Sequence, residues 1–297
     1  MSIEDFEGYV DDQLSQIAAG LNSIRPSPNQ SLFRYIGLNN KTSWKLLEQT
    51  LSDFSLRGAL ASSLNDPFEQ NPCVFDDLVP TLLENMRKSP NFFVENLRTP
   101  LSDNEIEKYR SAAYEFLDEE KRTKRIVAFC ERSDSPLLWS HYANSYRGAC
   151  LHFVGGRISR TSPREPSLFG KVQYSDHRPI YPLSLALAQS KFSRENLLSK
   201  QPRLHKIESE RLLFFWKSTD WAYEKEYRIV YSGTRSADFQ FNPESLVSIV
   251  VGPKMPEEEV QQLQSLIGRS RMPKLRIRRA EISDSSYNVQ IDWGLQR

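Results

Sequence analysis

Apolar side chains recur along this chain with two spacings, one typical of helices and one typical of strands. Between residues 3 and 22 they fall at steps of three and four, at Ile3, Phe6, Val10, Leu14, Ile17 and Leu21. This is the pattern of an amphipathic helix, and the Pro-rich segment 25–28 ends it. We therefore predict that residues 1–30 form an N-terminal helix and linker, which docks on the domain or on a protein partner.

From residue 31 onward, strand-like and helix-like segments are interleaved. The predicted strands are 32–37, 54–61, 126–131, 148–154, 221–230, 246–251, 274–282 and 286–292. The predicted helices are 43–49, 74–89, 102–119, 193–215 and 256–267, the third opened by a capping box of Ser102 and Glu105. The order lacks a regular βαβ rhythm. It predicts one α+β domain over residues 31–297, with a mixed or antiparallel sheet and a helical insertion.

The strand predicted at 221–230 contains two glutamates, Glu224 and Glu226, two positions apart. Side chains alternate between the faces of a strand, so both carboxylates and Arg228 should share one face. Tyr227 and Ile229 then occupy the other face. The glutamate face is either a solvated strand surface or the floor of a cleft.

A second dense motif, residues 137–148, follows a helix cap at Ser135. The helix is too short to be stable alone, so tertiary contacts must hold its aromatic side chains. Trp139 and Tyr142 are core anchors on this interpretation, and ligand-stacking platforms on the alternative one. His141 is either a structural histidine or a cleft residue acting as an acid, a base or a phosphate donor.

Composition narrows the class of protein. The chain has 297 residues, 39 basic and 38 acidic, for a net charge of +1, so no overall field favours nucleic acid or an anionic membrane. Three cysteines without C-x-x-C spacing and four scattered histidines predict neither disulfides nor a metal site. The acidic start and the lack of a long apolar run predict a cytoplasmic protein.

Two polar segments have a simple structural interpretation. Residues 65–67, Asn-Asp-Pro, form an Asx-type turn that ends a strand, with ligand contact as the alternative. The basic positions of the stretch 269–279 alternate with Leu275 and Ile277 and predict the solvent face of a strand. A nucleic-acid surface is the weaker alternative there, because aromatic residues for stacking bases are missing from the stretch.

Several of these motifs in order resemble the bacterial domain-of-unknown-function family two-nine-seven-one. They include Asn65-Asp66-Pro67-Phe68, Leu138-Trp139-Ser140-His141-Tyr142-Ala143, and Trp221-Ala222-Tyr223-Glu224-Lys225-Glu226-Tyr227-Arg228. The resemblance runs from about residue 31 to the C-terminus. It departs at Tyr146-Arg147, where a histidine would be expected before the glycine. The family name carries no chemistry.

A second resemblance supplies chemistry. A strand with Arg34-Tyr35, a short helix, a strand running into Ala61-Ser62-Ser63 and a late Glu-x-Glu strand are similar to the layout of ADP-ribosyltransferase-like domains, which bind NAD in a split-sheet cleft. The resemblance implies NAD-binding roles for Arg34 or Tyr35, for Ser62 or Ser63, and for the rings of Trp139 and Tyr142. It implies catalytic roles for Glu226 and for its companion Glu224, with His141 in the same cleft.

The implied reaction explains the residue types. Breaking the glycosidic bond of NAD develops positive charge on the ribose, which a carboxylate such as Glu226 stabilises in the transition state. ADP-ribose would pass to a protein, a nucleic acid or water, in a toxin or phage-defence effector. The alternative is a non-catalytic protein-binding module of a bacterial defence or stress system, in which both motifs are structural.

Overall fold

A computed structural model of the chain describes residues 25–79, 102–158, 168–190, 202–233 and 238–293. The strands, in chain order, are β1 (Ser31–Ile36), β2 (Ser55–Leu56), β3 (Ala59–Leu60), β4 (Cys73–Phe75), β5 (Lys124–Cys130), β6 (Ala149–Val154), β7 (Leu168–Lys171), β8 (Gln173–Ser175), β9 (Ile180–Pro182), β10 (Trp216–Ser218), β11 (Glu226–Ser232), β12 (Phe239–Gln240), β13 (Leu246–Val251), β14 (Arg276–Ile282) and β15 (Val289–Ile291).

The α-helices of the described residues are α1 (Lys41–Asp53), α2 (Asp103–Thr123), α3 (Pro136–Tyr142), α4 (Leu183–Gln189), α5 (Pro202–Phe214) and α6 (Glu257–Arg269). The predicted capping box of Ser102 and Glu105 begins α2, and Ser135 caps α3 as predicted. The mixture of helices with a mixed sheet confirms the α+β class.

Two compact units divide the chain, and each is made of separate segments. The sheet unit comprises Arg25–Gly58, Ile126–Lys171 and Ala222–Arg297, and the helical unit includes Ala59–Arg125 and Val172–Trp221. The predicted helix at residues 3–22 lies outside the described residues. A single domain from residue 31 to 297 stays a prediction.

The sheet unit is built on one mixed sheet with the strand order β15-β14-β13-β6-β1-β5-β11-β7. β1 is antiparallel to both β5 and β6, and β13 is parallel to β14. Side chains alternate between the two faces. Leu32 of β1 packs into the larger core, to which Leu47 of α1 and Leu263 of α6 contribute. Phe33 packs into a second core with Trp139 of α3.

The helical unit carries two short parallel strand pairs, β4 with β9 and β8 with β10. Every residue of α4 is buried. The buried carboxylate of Asp77 accepts hydrogen bonds from the backbone N of Ser184 (2.9 Å) and from its hydroxyl, at the first turn of α4. Burial raises the pKa of Asp77 to about 6.

The structure departs from the predicted elements in two segments before residue 80. Residues 74 and 75 of the helix predicted at 74–89 lie in β4 instead, and residues 80–89 of that prediction are outside the described part. The strand predicted at 54–61 is two short strands, β2 and β3. Gly58 separates them, and its backbone N donates to the Tyr231 hydroxyl at 3.1 Å.

Candidate functional site

The glutamate motif is part strand and part 3-10 turn. Residues Thr219–Glu224 form the turn, and β11 begins only at Glu226. Between them Lys225 has a φ of 45°, a left-handed conformation that breaks an extended strand. The prediction of one strand carrying both glutamates is therefore wrong for Glu224, whose position is set by the turn.

Glu226 lies in a buried ion pair. Its Oε1 accepts from Arg228 Nε at 2.7 Å and its Oε2 from Arg228 Nη2 at 2.9 Å. Glu226 is 5% exposed and Arg228 1%. The pair is the bidentate arrangement that arginine makes with carboxylates. Neither of the two expected surroundings, open solvent or an open cleft floor, describes it.

Glu224 is also buried, and it accepts a 2.6 Å hydrogen bond from the hydroxyl of Tyr142. Burial, and then this hydrogen bond, raise the pKa of the Tyr142 phenol. The last residue of α3 is thus tied to the turn before β11. Tyr142 serves here as a hydrogen-bond donor rather than as a stacking platform.

Trp139 is wholly buried, as its core interpretation predicted. Its indole Nε1 donates to the backbone O of Ser133 at 2.7 Å, and its ring meets Tyr35 edge to face at 5.1 Å. The Tyr35 hydroxyl donates to the backbone O of Arg132 at 3.1 Å. With both rings packed this way, Trp139 has no face left for a nicotinamide or an adenine, which argues against a stacking role.

The other proposed NAD-binding residues are dispersed. Arg34 shares the sheet face of Leu32, opposite to Tyr35, and its Nη1 donates to the backbone O of Ala128 at 2.9 Å. Burial lowers the pKa of Arg34. His141 is exposed, with its ring near that of Tyr142. Arg34 and His141 therefore do not join the glutamates.

Ser62 and Ser63 belong to the helical unit, in the 3-10 turn Ala61–Ser63. Both residues are exposed, and the Ser63 hydroxyl donates to the backbone O of Leu60 at 2.8 Å. Their expected strand ends just before them, at Leu60. Their role in NAD binding stays a prediction.

Part of the predicted set does come together in the sheet unit. Tyr227 and Ile229 face the larger core, so Glu226 points to the opposite face. That opposite face carries Trp139 in the second core, with Tyr35 and Tyr142 packed against it. Tyr35, Trp139, Tyr142, Glu224 and Glu226 thus lie on one face of the sheet.

The same face carries a cavity of about 940 Å³, which we call the arginine cleft. Its walls include Phe33 and His152, Trp293 near the C-terminus, and the arginines Arg157, Arg276 and Arg278. Phe33 pairs with His152 across β1 and β6, and Ser248 pairs with both His152 and Arg276 across β6, β13 and β14. Four adjacent strands therefore form the floor.

Aromatic rings form one side of the arginine cleft. The Phe33 and His152 rings are stacked at 4.8 Å with an interplanar angle of 21°. Trp293 meets His152 at 5.0 Å and Arg278 lies over the Trp293 ring at 5.5 Å. Trp293 is 36% exposed. Part of this side chain is therefore accessible to a ligand.

His152 is fixed on both of its ring nitrogens. Nε2 lies 2.9 Å from the Ser31 hydroxyl and Nδ1 lies 3.3 Å from the Ser248 hydroxyl. Burial first, and then the positive charge of Arg278, lower the pKa of His152 to about 4. At neutral pH the imidazole is uncharged, so the cleft's positive charge comes from its arginines.

The charge of the arginine cleft is one-sided. Of the residues that the structure describes, three arginines line it and no aspartate or glutamate does. Among the described residues, Arg157 and Arg276 make no ion pair, and Arg278 donates to the backbone O of Asp292 at 2.6 Å. Unpaired guanidinium groups beside aromatic rings are suited to a phosphate-bearing, planar ligand.

Backbone register brings the arginine cleft near the glutamates. Phe33 pairs with Cys130 of β5, and the N of Glu131 donates to the O of Lys225 at 3.2 Å. Cys130 therefore lies between Phe33 and Glu226, and burial together with the nearby glutamates raises the pKa of its thiol. Two strand spacings of about 4.8 Å separate Phe33 from Glu226.

Sequence reasoning missed this cleft. Arg276 and Arg278 do alternate with Ile277 on a strand, as expected, but they line a cavity instead of plain solvent surface. The aromatic partner that the arginine stretch lacked is Trp293, which follows β15. A tryptophan just beyond an Arg-x-Arg strand was the signal available. Within the described ranges, no three His, Cys, Asp or Glu side chains are grouped to hold a metal ion.

Comparison with known proteins finds a family whose description states no function. Residues 138–229 match the model of a family described as a protein of unknown function, DUF2971. This confirms the predicted family resemblance over that segment, which contains both the tryptophan and the glutamate motifs. No curated protein and no solved structure matches the chain. Among the described residues, no helix has the length and apolar character needed to cross a membrane.

Proposed function

We propose that this chain is a NAD-using enzyme of the ADP-ribosyltransferase-like type, with the corresponding split-sheet fold. One observation carries the proposal. The buried carboxylate of Glu226 lies on the same sheet face as the arginine cleft, two strands from Phe33 in its wall. A carboxylate near a site for a phosphate-bearing planar ligand is the combination that NAD cleavage requires.

The residues of the cleft fit the parts of NAD. Arg157, Arg276 and Arg278 suit the pyrophosphate, because guanidinium groups pair with phosphate oxygens. The partly exposed ring of Trp293 suits a flat base. The hydroxyl of Ser31 suits a ribose. Arg34 and Trp139, for which the resemblance implied NAD-binding roles, instead make contacts inside the sheet unit.

In the proposed reaction, the bond between the nicotinamide nitrogen and the ribose carbon breaks and its electron pair leaves with nicotinamide. Glu226 stabilises the positive charge that develops on the ribose, and Arg228 fixes the direction of the carboxylate. Glu224, held by Tyr142, is its companion. An acceptor, either a protein, a nucleic acid or water, then forms the new bond to ADP-ribose. Such an activity suits a toxin or phage-defence effector acting in the cytoplasm.

The test is release of nicotinamide from NAD by the purified chain, measured by chromatography. Changing Glu226 alone would take its carboxylate away from the buried guanidinium of Arg228, which destabilises the fold. The informative variant is therefore Glu226→Gln combined with Arg228→Gln, which removes both charges. We expect it to fold and to lose turnover, whereas Glu281→Gln, on the exposed part of β14, should keep full activity. Unchanged turnover in the folded double variant would contradict the catalytic role of Glu226.

A second candidate is a non-catalytic binding module. The bidentate pairing of Glu226 with Arg228 and the complete burial of Trp139 favour it, because both motifs then serve the core. Calorimetry with ADP-ribose separates the two candidates. A folded chain that neither binds ADP-ribose nor releases nicotinamide from NAD favours the second.

A further inference from the structure

The helical unit contains a cavity of about 520 Å³, which we call the acidic pocket. Its walls include three aromatic side chains, Phe68, Trp216 and Trp221. Its size is within the usual range of small-molecule sites. The turn 65–67, which the sequence left open between a structural role and ligand contact, forms part of the wall.

Two of the three rings already hold a cation of the chain itself. The Nζ of Lys217 lies 4.5 Å from the centre of the Trp221 ring, and Arg178 lies 5.0 Å from that of Phe68. Lys217 also pairs with buried Glu69 at 3.3 Å. Aromatic rings attract cations through their negative faces. The rings of this pocket thus already bind cationic groups of the same chain.

The pocket keeps an excess of negative charge. Its walls include four carboxylates, those of Asp66, Glu69, Asp176 and Asp220, against the two cations Lys217 and Arg178. Counted over the described lining residues, the difference is a formal charge of −2 with His177 neutral. A ligand that enters this pocket should therefore be positively charged.

Asp66 supplies the observation that points to a ligand with N–H groups. The residue is 7% exposed, and its Oδ1 accepts from the backbone N of Phe68 at 2.8 Å. Its Oδ2 is closed to water and has no hydrogen-bond donor among the described residues. A buried carboxylate oxygen without a donor is costly, so a donor arriving from outside the chain would be bound favourably.

We propose that the acidic pocket binds a protonated alkylamine. The ammonium group lies at the Asp66 carboxylate, and a small movement of that side chain lets Oδ2 accept its hydrogen bond. Its charge is balanced by Asp176 and Asp220, and its carbon chain lies along Trp216. The amine comes either from a free polyamine or from a lysine side chain of a partner. This site is separate from the NAD proposal, and its test does not depend on turnover.

Titration calorimetry of the full chain at low ionic strength tests the proposal. The probes are spermidine and Nα-acetyl-lysine amide, whose side-chain ammonium group is free. We expect saturable binding at one site. Asp66→Asn keeps an acceptor for the Phe68 N–H and removes the charge, so it should weaken binding about tenfold or more. Asp118→Asn, an exposed change on α2, is the matched control and should leave the affinity unchanged.

The outcomes are distinct. Tighter binding of spermidine assigns the pocket to free polyamines, and tighter binding of the lysine amide assigns it to a protein side chain. If Asp66→Asn does not fold, Asp220→Asn at the exposed rim should weaken binding about threefold. No binding of either amine, an affinity unchanged in the pocket variants, or preferential binding of neutral adenosine would each overturn the proposal.

Discussion

At the scale of single residues, His152 makes stability depend on pH. Its pKa is lowered to about 4 in the folded chain, against an ordinary value of 6.5, by burial and by Arg278. The unfolded chain therefore binds the proton more strongly, so the free energy of unfolding rises with pH through this window. We expect the contribution of this residue to be lost as pH falls from about 6.5 to 4, and to be flat above it.

Urea unfolding between pH 4 and pH 8 measures this effect. His152→Gln should remove the part of the slope between pH 4 and 6.5, because glutamine does not titrate. His141→Gln, a change at an exposed histidine outside the arginine cleft, is the matched control. An identical slope in the wild type and in His152→Gln would show that the imidazole is not held neutral.

Alternation along a strand was enough to predict which residues of 226–231 share a face. The burial of Trp139 followed from its size and from the shortness of α3. Glu224 could not be placed in the same way, because the left-handed Lys225 before β11 has no signature in a Glu-Lys-Glu sequence. The ion pair of Glu226 with Arg228 was equally hidden, since the same spacing occurs on solvated strands.

At the scale of elements, the connection after α3 depends on two glycines. Asn144, Ser145 and Tyr146 all have positive φ, at 48°, 52° and 71°. The backbone N of Gly252 donates to the O of Gly148 at 2.9 Å. A Cβ on Gly148 would lie 2.2 Å from the O of Ile36, and one on Gly252 would lie 2.1 Å from the O of Tyr146.

Because backbone atoms cannot give way as a flexible side chain can, Gly148→Ala and Gly252→Ala should each lower the free energy of unfolding by about 1–3 kcal/mol. Gly268→Ala is the control. A Cβ there meets nothing within 4 Å, near the end of α6, and the change should raise stability by up to about 1 kcal/mol. Chemical denaturation of the three variants measures both the expected losses and the expected gain in the free energy of unfolding. An equal effect at all three positions would contradict the steric argument.

Elements with strong local signals were predicted well. The strand at 246–251 has the predicted bounds, and the helix after Ser102 begins as its capping box indicated. Short strands were the weak point, since β4 was taken for the start of a helix. Its pairing with β9 joins residues more than a hundred positions apart, and local patterns carry no information on such contacts.

At the scale of the whole molecule, the family segment 138–229 is not a structural unit. It contains β6, but the two neighbours of β6, β1 and β13, both lie outside it. We predict that a fragment of residues 138–229 does not unfold cooperatively, because its central strand lacks both partners. Circular dichroism during thermal denaturation, with the full chain as the control, checks this. A sharp transition in the fragment would refute the prediction.

The arrangement of β6 also bears on how the protein is made. On the ribosome, both β1 and β6 emerge before β13, and the chain must extend from residue 154 to residue 246 before β13 is available. Until that moment the edge of β6 that later pairs with β13 has unpaired backbone groups beside apolar side chains, a combination that promotes aggregation. We therefore expect the fraction of the newly made chain that is recovered in native form to change when translation is slowed or the growth temperature is lowered.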